Sequence, residues 1–305
     1  MGELAPVVVF AFNRPAHLSQ CLTALAADSL APQTKVYVMA DGPRGEHDNA
    51  GVSAVRELIS DPRWKQSFAE FELRCSSANR GLAASIIGGV TGILVDFDRV
   101  IVLEDDLVVA DGFLKYMNDC LDLFTGAHGI ASVSGYCPLA KIPDAYEYDL
   151  MAVPRMCSHG WGTWRDRWMS VDWERRDYSE IWTNRLLRAR MTATGEDQLY
   201  RLRRQVTGVI RTWAILFQAW LILENKYTIY PRRNMVNNIG FDGSGTHTRA
   251  VDKMFSDIDT SVHGLRIHEV DPNETVIKAF HKVYSGGALG RLKRFLLNIF
   301  PPRIA

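Results

Sequence analysis

Arg99-Val100-Ile101-Val102-Leu103-Glu104-Asp105-Asp106 decides how this chain reads. Val100–Leu103 is a continuous apolar run, three of its four residues β-branched, as expected of a strand buried on both faces of a parallel sheet. It stops on three adjacent acids. Upstream the same pattern recurs. Val7-Val8-Val9-Phe10-Ala11 is another such strand, and Asn13-Arg14-Pro15 follows it, with Pro15 suited to the first turn of a helix reaching about Ala27. Val36-Tyr37-Val38-Met39-Ala40 stops at Asp41-Gly42-Pro43. A helix is expected over 50–60 and a strand over 71–75, after which Asn79-Arg80-Gly81 opens an apolar helix over 82–95. Repeated strand–helix units predict an α/β fold, a mostly parallel sheet flanked by helices with right-handed crossovers. The polar residues after each strand then gather on one rim, where such sheets bind ligands.

From about Ile130 the rhythm breaks down. Seven of the eight tryptophans lie between Trp161 and Trp220, helices are expected near 181–190 and 213–224, and a strand at 227–230 leads to Pro231. The stretch Asn237-Asn238-Ile239-Gly240-Phe241-Asp242-Gly243-Ser244-Gly245-Thr246-His247 has too little apolar content for core and suits a mobile lid. The expected divisions are 1–129, 130–250 and a tail, 251–305. In that tail Leu289, Leu292, Phe295, Leu296, Ile299 and Phe300 recur at helical spacing beside Arg291, Lys293 and Arg294. A short amphipathic helix over 287–303 would either dock on the domain or lie on an anionic membrane surface.

The 305 residues are 47% hydrophobic, an ordinary globular composition, and Lys+Arg equals Asp+Glu at 35 each. That balance argues against nucleic-acid binding, which normally leaves a basic excess. The five cysteines (Cys21, Cys75, Cys120, Cys137, Cys157) form no CxxC pair and read as free thiols of a reducing compartment. No basic-then-apolar leader and no run of roughly 18–20 apolar residues is visible. A cytoplasmic protein is expected.

Three acids at the end of a buried strand repel one another and lose hydration unless a cation compensates them. A solvated acidic turn is the plainer reading, but the place after Leu103 favours Mg²⁺ or Mn²⁺, which commonly share a site with substrate phosphates. Asp41 could accept from a base ring N–H or simply close an Asp-Gly-Pro turn. Arg14 and Arg80 could fork onto phosphates or be solvated. Trp161, Trp164, Trp168 and Trp173 could stack on sugars or form core. His159 and His247 could be ligands, bases or neither.

Residues Val7–Arg14, Asp41, Asn79–Leu82 and the stretch from Glu104-Asp105-Asp106 to Asp111-Gly112-Phe113 resemble the family-2-type GT-A glycosyltransferases, a Rossmann-like fold. The last of these is most similar to N-acetylglucosaminyltransferase I. Ser158–Arg165, Thr212–Ile215 and the stretch from Tyr230 to His247 resemble bacterial sugar transferases of the same superfamily. The resemblance spans residues 7 to about 248. It implies that 1–129 binds a nucleotide sugar and 130–250 the acceptor. Asp41 would read the base of a UDP donor; Asn13, Arg14 and Arg80 would approach the donor diphosphate; Glu104 and Asp105 would contact donor sugar and ribose. Asp106 would ligate the metal, with His247 a second ligand. Trp161, Trp164 and Trp213 would face the acceptor sugar, and Gly240, Asp242, Gly243, Ser244 and Gly245 would form the lid.

One departure matters. The family's Asp-Trp base falls here on Thr212-Trp213, and a threonine is no base near neutral pH. Asp166, Glu196 or Asp197 would replace it, or the enzyme would retain configuration without such a base. The implied activity moves a hexosyl or N-acetylhexosaminyl group to a hydroxyl of a glycan or lipid-linked acceptor. Polysaccharide biosynthesis at the inner face of a membrane is the implied setting. Two rivals stand beside it. A sugar-nucleotide nucleotidyltransferase usually carries a glycine-rich phosphate loop with a basic residue after its first strand, which Phe12-Asn13-Arg14-Pro15 is not. A catalytically inactive carbohydrate-binding homologue is kept open by Thr212.

Overall fold

The computed structural model describes residues 3–240, 265–285 and 300–302. The expected lid residues Asp242, Gly243, Ser244 and Gly245, the ligand His247, and nearly all of the amphipathic stretch 287–303 lie outside the described residues.

The first half alternates as expected: β1 (Val7–Ala11), α1 (Pro15–Ala26), β2 (Lys35–Ala40), α2 (Asn49–Ile59), α3 (Pro62–Ser67), β3 (Glu70–Cys75), α4 (Leu82–Ile93) and β4 (Arg99–Glu104). Then come β5 (Leu107–Val109), α5 (Phe113–Leu123), β6 (Ile130–Ser134), β7 (Leu150–Val153) and β8 (Trp161–Trp164). The helices α6 (Arg165–Met169), α7 (Ser179–Thr183), α8 (Arg185–Thr192), α9 (Asp197–Val206) and α10 (Trp213–Leu223) follow. Last are β9 (Tyr227–Pro231), β10 (Val236–Asn238) and α11 (Glu274–Tyr284). The helix expected near 181–190 is two helices, because the Asn184 side chain accepts from Leu186 N and Leu187 N (2.9 and 3.3 Å) and restarts the chain as α8.

Eight strands form one sheet in the order β3-β2-β1-β4-β8-β6-β9-β7. The first four run parallel, and β6 runs parallel to β9; the β4–β8, β8–β6 and β9–β7 contacts are antiparallel. Period-two alternation sorts the strand residues onto two faces. Val7, Val9, Ile101 and Leu103 pack with Leu18, Leu22 and Leu25 of α1 on one side. Val8, Phe10, Val100 and Val102 pack with Ile86, Val90 and Ile93 of α4 and with the tryptophans on the other. Each face is covered by helices, which is why these strands read as unbroken apolar runs.

Register sets the rim. Phe10 lies opposite Glu104, Ala11 opposite Ala40, and Ala40 opposite Cys75, so the parallel strands end nearly level. Antiparallel pairing of β5 with β10 then brings the late segment Ile239-Gly240 over the acids, with Ile239 N donating to Asp106 O at 2.9 Å. Among the described residues no helix is long and apolar enough to cross a membrane.

Candidate active site

Arg14, just past the end of β1, ion-pairs with both acids beyond β4: its Nη2 reaches Asp105 Oδ1 and lies 2.9 Å from Asp106 Oδ2. Phe12 N also donates to Asp105 Oδ2 at 3.3 Å. The guanidinium thus supplies an internal positive charge. Burial works against its protonated form, but the two carboxylates outweigh that and raise its pKa. Compensation of the acids stays incomplete. Burial, with the charges of Asp106 and Asp105 added, pushes Glu104 up to about 8, and burial pushes Asp105 up to about 6 against the pull of Arg14. One oxygen has no partner: Asp106 Oδ1 is buried without a hydrogen bond among the described residues.

Gly240 closes over this oxygen pair. A Cβ there would stand 2.3 Å from Asp106 Oδ2 and 3.0 Å from Arg14 Nη1, so any other residue would push the carboxylate out of place. Among the described residues no group of three or more His, Cys, Asp or Glu side chains surrounds a common point. Asp106 Oδ1, buried without a partner among the described residues, is one carboxylate donor that a cation could use together with substrate oxygens and water, as Mg²⁺ and Mn²⁺ accept.

Asp41 is fully engaged. Its carboxylate accepts from Gly42 N (2.9 Å), Asn79 Nδ2 (3.1 Å), Arg80 N (2.9 Å), Gly81 N (3.1 Å) and Ser85 Oγ (3.4 Å). Five donors use the acceptor capacity of one carboxylate, so Asp41 acts here by fixing the loop that starts α4. Beside it is a cavity of about 270 Å³ whose walls include Asp41, Ser76, Arg80, Ser85 and Gly89. Asn13 is likewise a builder of the rim, its Nδ2 donating to Asp48 Oδ1 at 2.7 Å while Arg44 grips the same carboxylate.

His159 feels the charge of Asp106, and its ring lies edge-on to Tyr136 at 5.2 Å between centroids. Burial lowers its pKa; the charge of Asp106 opposes this and that of Arg201 reinforces it. A cluster that the sequence did not announce lies along this edge. Arg155 clasps Asp197 with two hydrogen bonds (Nη1–Oδ1 3.1 Å, Nη2–Oδ2 2.7 Å) and lies 3.4 Å over the Tyr284 ring. No local pattern joins residues 155, 197 and 284; only the fold does.

The base candidates separate accordingly. Asp197 is committed to buried Arg155, and its expected role as base gives way to tying α9 to the sheet. Asp166 is placed at the wrong end. It follows Trp164, which pairs with Arg99 at the start of β4, and Arg165 N bonds Asp98 O at 2.8 Å. The six residues of β4 separate it from the acid triplet by about 20 Å. Glu196, half-buried at the start of α9, makes no ion pair among the described residues and is the acid that stays available.

Trp161, Trp164 and Trp213 pack in the interior, Trp213 also reaching the wall of a groove at the start of α10. They are 1%, 2% and 2% exposed. Trp161 stacks on Trp213 (4.7 Å) and Trp168 (5.6 Å), and Trp164 Nε1 donates to Leu121 O at 3.0 Å. These rings are core, because each removes a large apolar area from water.

Among solved structures, the chain is similar to a mannosyltransferase from Pyrobaculum calidifontis in complex with GDP-mannose and Mn²⁺, at 15% identity and a TM-score of 0.36, covering 54% of this chain and 46% of that one. It thus spans just under half the length of that protein. It is also similar to the galactosyltransferase LgtC in complex with donor and acceptor sugar analogues, at 12% identity and a TM-score of 0.39, covering 73% and 72%. A third likeness is to a Bacillus anthracis protein assigned as a glucose-1-phosphate thymidylyltransferase, at 11% identity and a TM-score of 0.32, covering 55% and 74%. No family model matches the chain, and no curated protein matches it.

Proposed function

We propose that this chain is a GT-A glycosyltransferase that binds a nucleoside-diphosphate sugar along the rim formed by β2, β1 and β4 and passes the sugar to an acceptor hydroxyl. The observation that carries this reading is Asp106: one carboxylate oxygen buried and unpaired, the other against Arg14, with Gly240 laid over the pair. An arrangement that leaves a buried carboxylate oxygen unsatisfied is destabilising unless a ligand completes it.

The rim has the right length for the donor. Asp41 follows β2 and the acids follow β4, two strand spacings away, or about 10 Å. A nucleoside, with UDP the expected carrier, fits the cavity beside Asp41 and Arg80. Its diphosphate then reaches Arg14, whose guanidinium is suited to exchange carboxylate oxygens for phosphate oxygens. With Mn²⁺ or Mg²⁺ held at Asp106, the chemistry supplied is Lewis-acid stabilisation of the departing diphosphate. Glu104 and Asp105 would contact the donor sugar and ribose. Glu196, the candidate acid without an ion pair among the described residues, would take the acceptor proton in an inverting displacement. The acceptor is a glycan or lipid-linked hydroxyl, and the work is done on the cytoplasmic side.

The test is to incubate the full chain with a panel of nucleotide sugars and Mn²⁺, with and without excess chelator, and identify the released nucleotide. The expected result is nucleoside diphosphate, lost on chelation. Gly240→Ala should slow its release on the order of 10²-fold, the usual effect of misplacing a reacting group by about 1 Å. Pyrophosphate-dependent exchange instead would establish the nucleotidyltransferase. Release of no nucleotide from any donor would leave an inactive carbohydrate-binding homologue.

A further inference from the structure

A second and larger groove, about 610 Å³, opens where the segment after α6 meets the turn between α9 and α10. This volume lies within the range of small-molecule sites, about 300–1,000 Å³. Trp173, Glu174, Arg176, Tyr178, Arg211 and Thr212 are among its walls. It is joined to the donor rim through α4. Ala83, in the first turn of that helix, lines the groove, while Gly81 N just before the helix bonds Asp41 at 3.1 Å. The groove and the nucleoside cavity therefore flank one helix start.

Its chemistry differs from that of the rim. Residues 174–211 hold nine arginines against five acids, in a chain whose totals balance at 35 and 35. Arg175 is spent on structure, donating to Asp177 O at 2.7 Å and pairing with Glu180. Arg176 and Arg211 are exposed on the groove and make no ion pair or hydrogen bond among the described residues. Glu174 is the one acid among the lining residues. Trp173 backs onto Trp168 at 4.5 Å yet stays partly exposed, unlike Trp161, Trp164 and Trp213. Thr212 matters here as well. A carboxylate at that position would oppose Arg211 next to it, whereas a hydroxyl leaves the wall positive.

We infer that this groove takes the acceptor, and that the acceptor is a saccharide carrying an anionic group, a phosphate or a carboxylate. Trp173 offers a partly exposed aromatic face to a sugar ring, and Arg176 and Arg211 offer unpaired guanidinium forks to the anion. The inference rests on the glycosyltransferase reading for the word acceptor, but the site stands on its own residues.

Equilibrium binding to the full chain, followed by calorimetry, tests it with four probes: a hexose 1-phosphate, a glucuronate-containing disaccharide, cellobiose and inorganic phosphate. At least one anionic saccharide should bind about tenfold or more tightly than cellobiose. Arg176→Gln and Arg211→Gln should each weaken it by about tenfold, the worth of one hydrogen bond to a charged group. Both positions are exposed, so melting temperature should be unchanged, and added salt should weaken binding. Whichever of the phosphate or glucuronate probe binds better names the anion. The inference is overturned if cellobiose binds as tightly as both anionic saccharides, if the two variants bind like wild type, if no saccharide binds, or if inorganic phosphate alone binds. Donor hydrolysis by the wild-type chain reports separately. Hydrolysis without anionic-saccharide binding removes this inference alone, and binding without hydrolysis removes the transferase reading while the site remains.

Discussion

Glu104-Asp105-Asp106 and Trp161, the ring on which Trp168 and Trp213 stack, stand at adjoining strands, since Val102 of β4 lies opposite Trp161 of β8. Two residues further along β4 the environment reverses. At the stack, aromatic surface leaves water and meets other rings and the aliphatic side chains of β1, β4 and α4. At the rim, carboxylates are drawn partly out of water with one arginine to share, and one oxygen has no partner among the described residues. The first arrangement stabilises the fold and the second works against it. A rim of this kind persists because the apolar layer beneath holds it in place, which is the general relation between a strained site and its scaffold.

Exchanging the roles of the two regions should therefore fail in opposite ways. The largest effect on stability is expected at the stack: Trp161→Ala removes a fully buried ring and should cost about 3–5 kcal/mol in denaturant unfolding. A smaller loss of stability together with weakened acceptor binding would return the ring to the substrate side. Next comes the Arg155–Asp197 clasp. Asp197→Ala leaves a buried guanidinium unpaired, and breaking such a pair costs about 3 kcal/mol or more. If Asp197 were a catalytic base, the same change would cut turnover and leave unfolding nearly untouched, so measuring both separates the two roles.

The contrast also explains what the sequence disclosed. β1, β2 and β4 were legible because both faces are covered, which writes each as an apolar run ending at a polar turn, whereas edge strand β3 shows only the alternation of Phe71 and Leu73 with Glu72 and Arg74. The acids could be placed at the rim for the same reason. β6 and β8 were not, since Ser132, Ser134, Gly162 and Thr163 interrupt any apolar pattern in strands of five and four residues. Glu196 and Asp197 are neighbours with the same functional group. Only a partner 42 residues before Asp197 distinguishes them. The tryptophans carried no signal that separates a sugar platform from a core, because both need the same apolar ring. Asp41 was found at its rim position, but the donors that saturate it come from the loop 79–81 and from Ser85, well away in sequence.

A finer test of the rim is its response to pH in metal-free buffer. Folding raises Glu104 to about 8 from its usual 4.5, so the folded state holds a proton that the unfolded chain releases. Stability should accordingly fall between pH 4.5 and 8. Glu104→Gln removes that term: the variant should match wild type below pH 4.5, where both states are protonated, and melt higher than wild type above pH 8. Equal melting curves across the range would mean that the acids are adequately solvated and that the rim is not strained.

The most direct test of the central claim is calorimetric titration of UDP into the full chain in Mn²⁺ buffer, wild type against Asp106→Asn. The substitution keeps the shape of the side chain and removes the charge at the oxygen that lacks a partner. The account predicts saturable binding to the wild type that disappears on chelation. It predicts binding to Asp106→Asn weaker by on the order of 10²-fold, with the unfolding transition preserved, since the loss of a metal-bridged contact exceeds that of a single neutral hydrogen bond. UDP binding of equal strength to both proteins, unchanged by chelator, would contradict it.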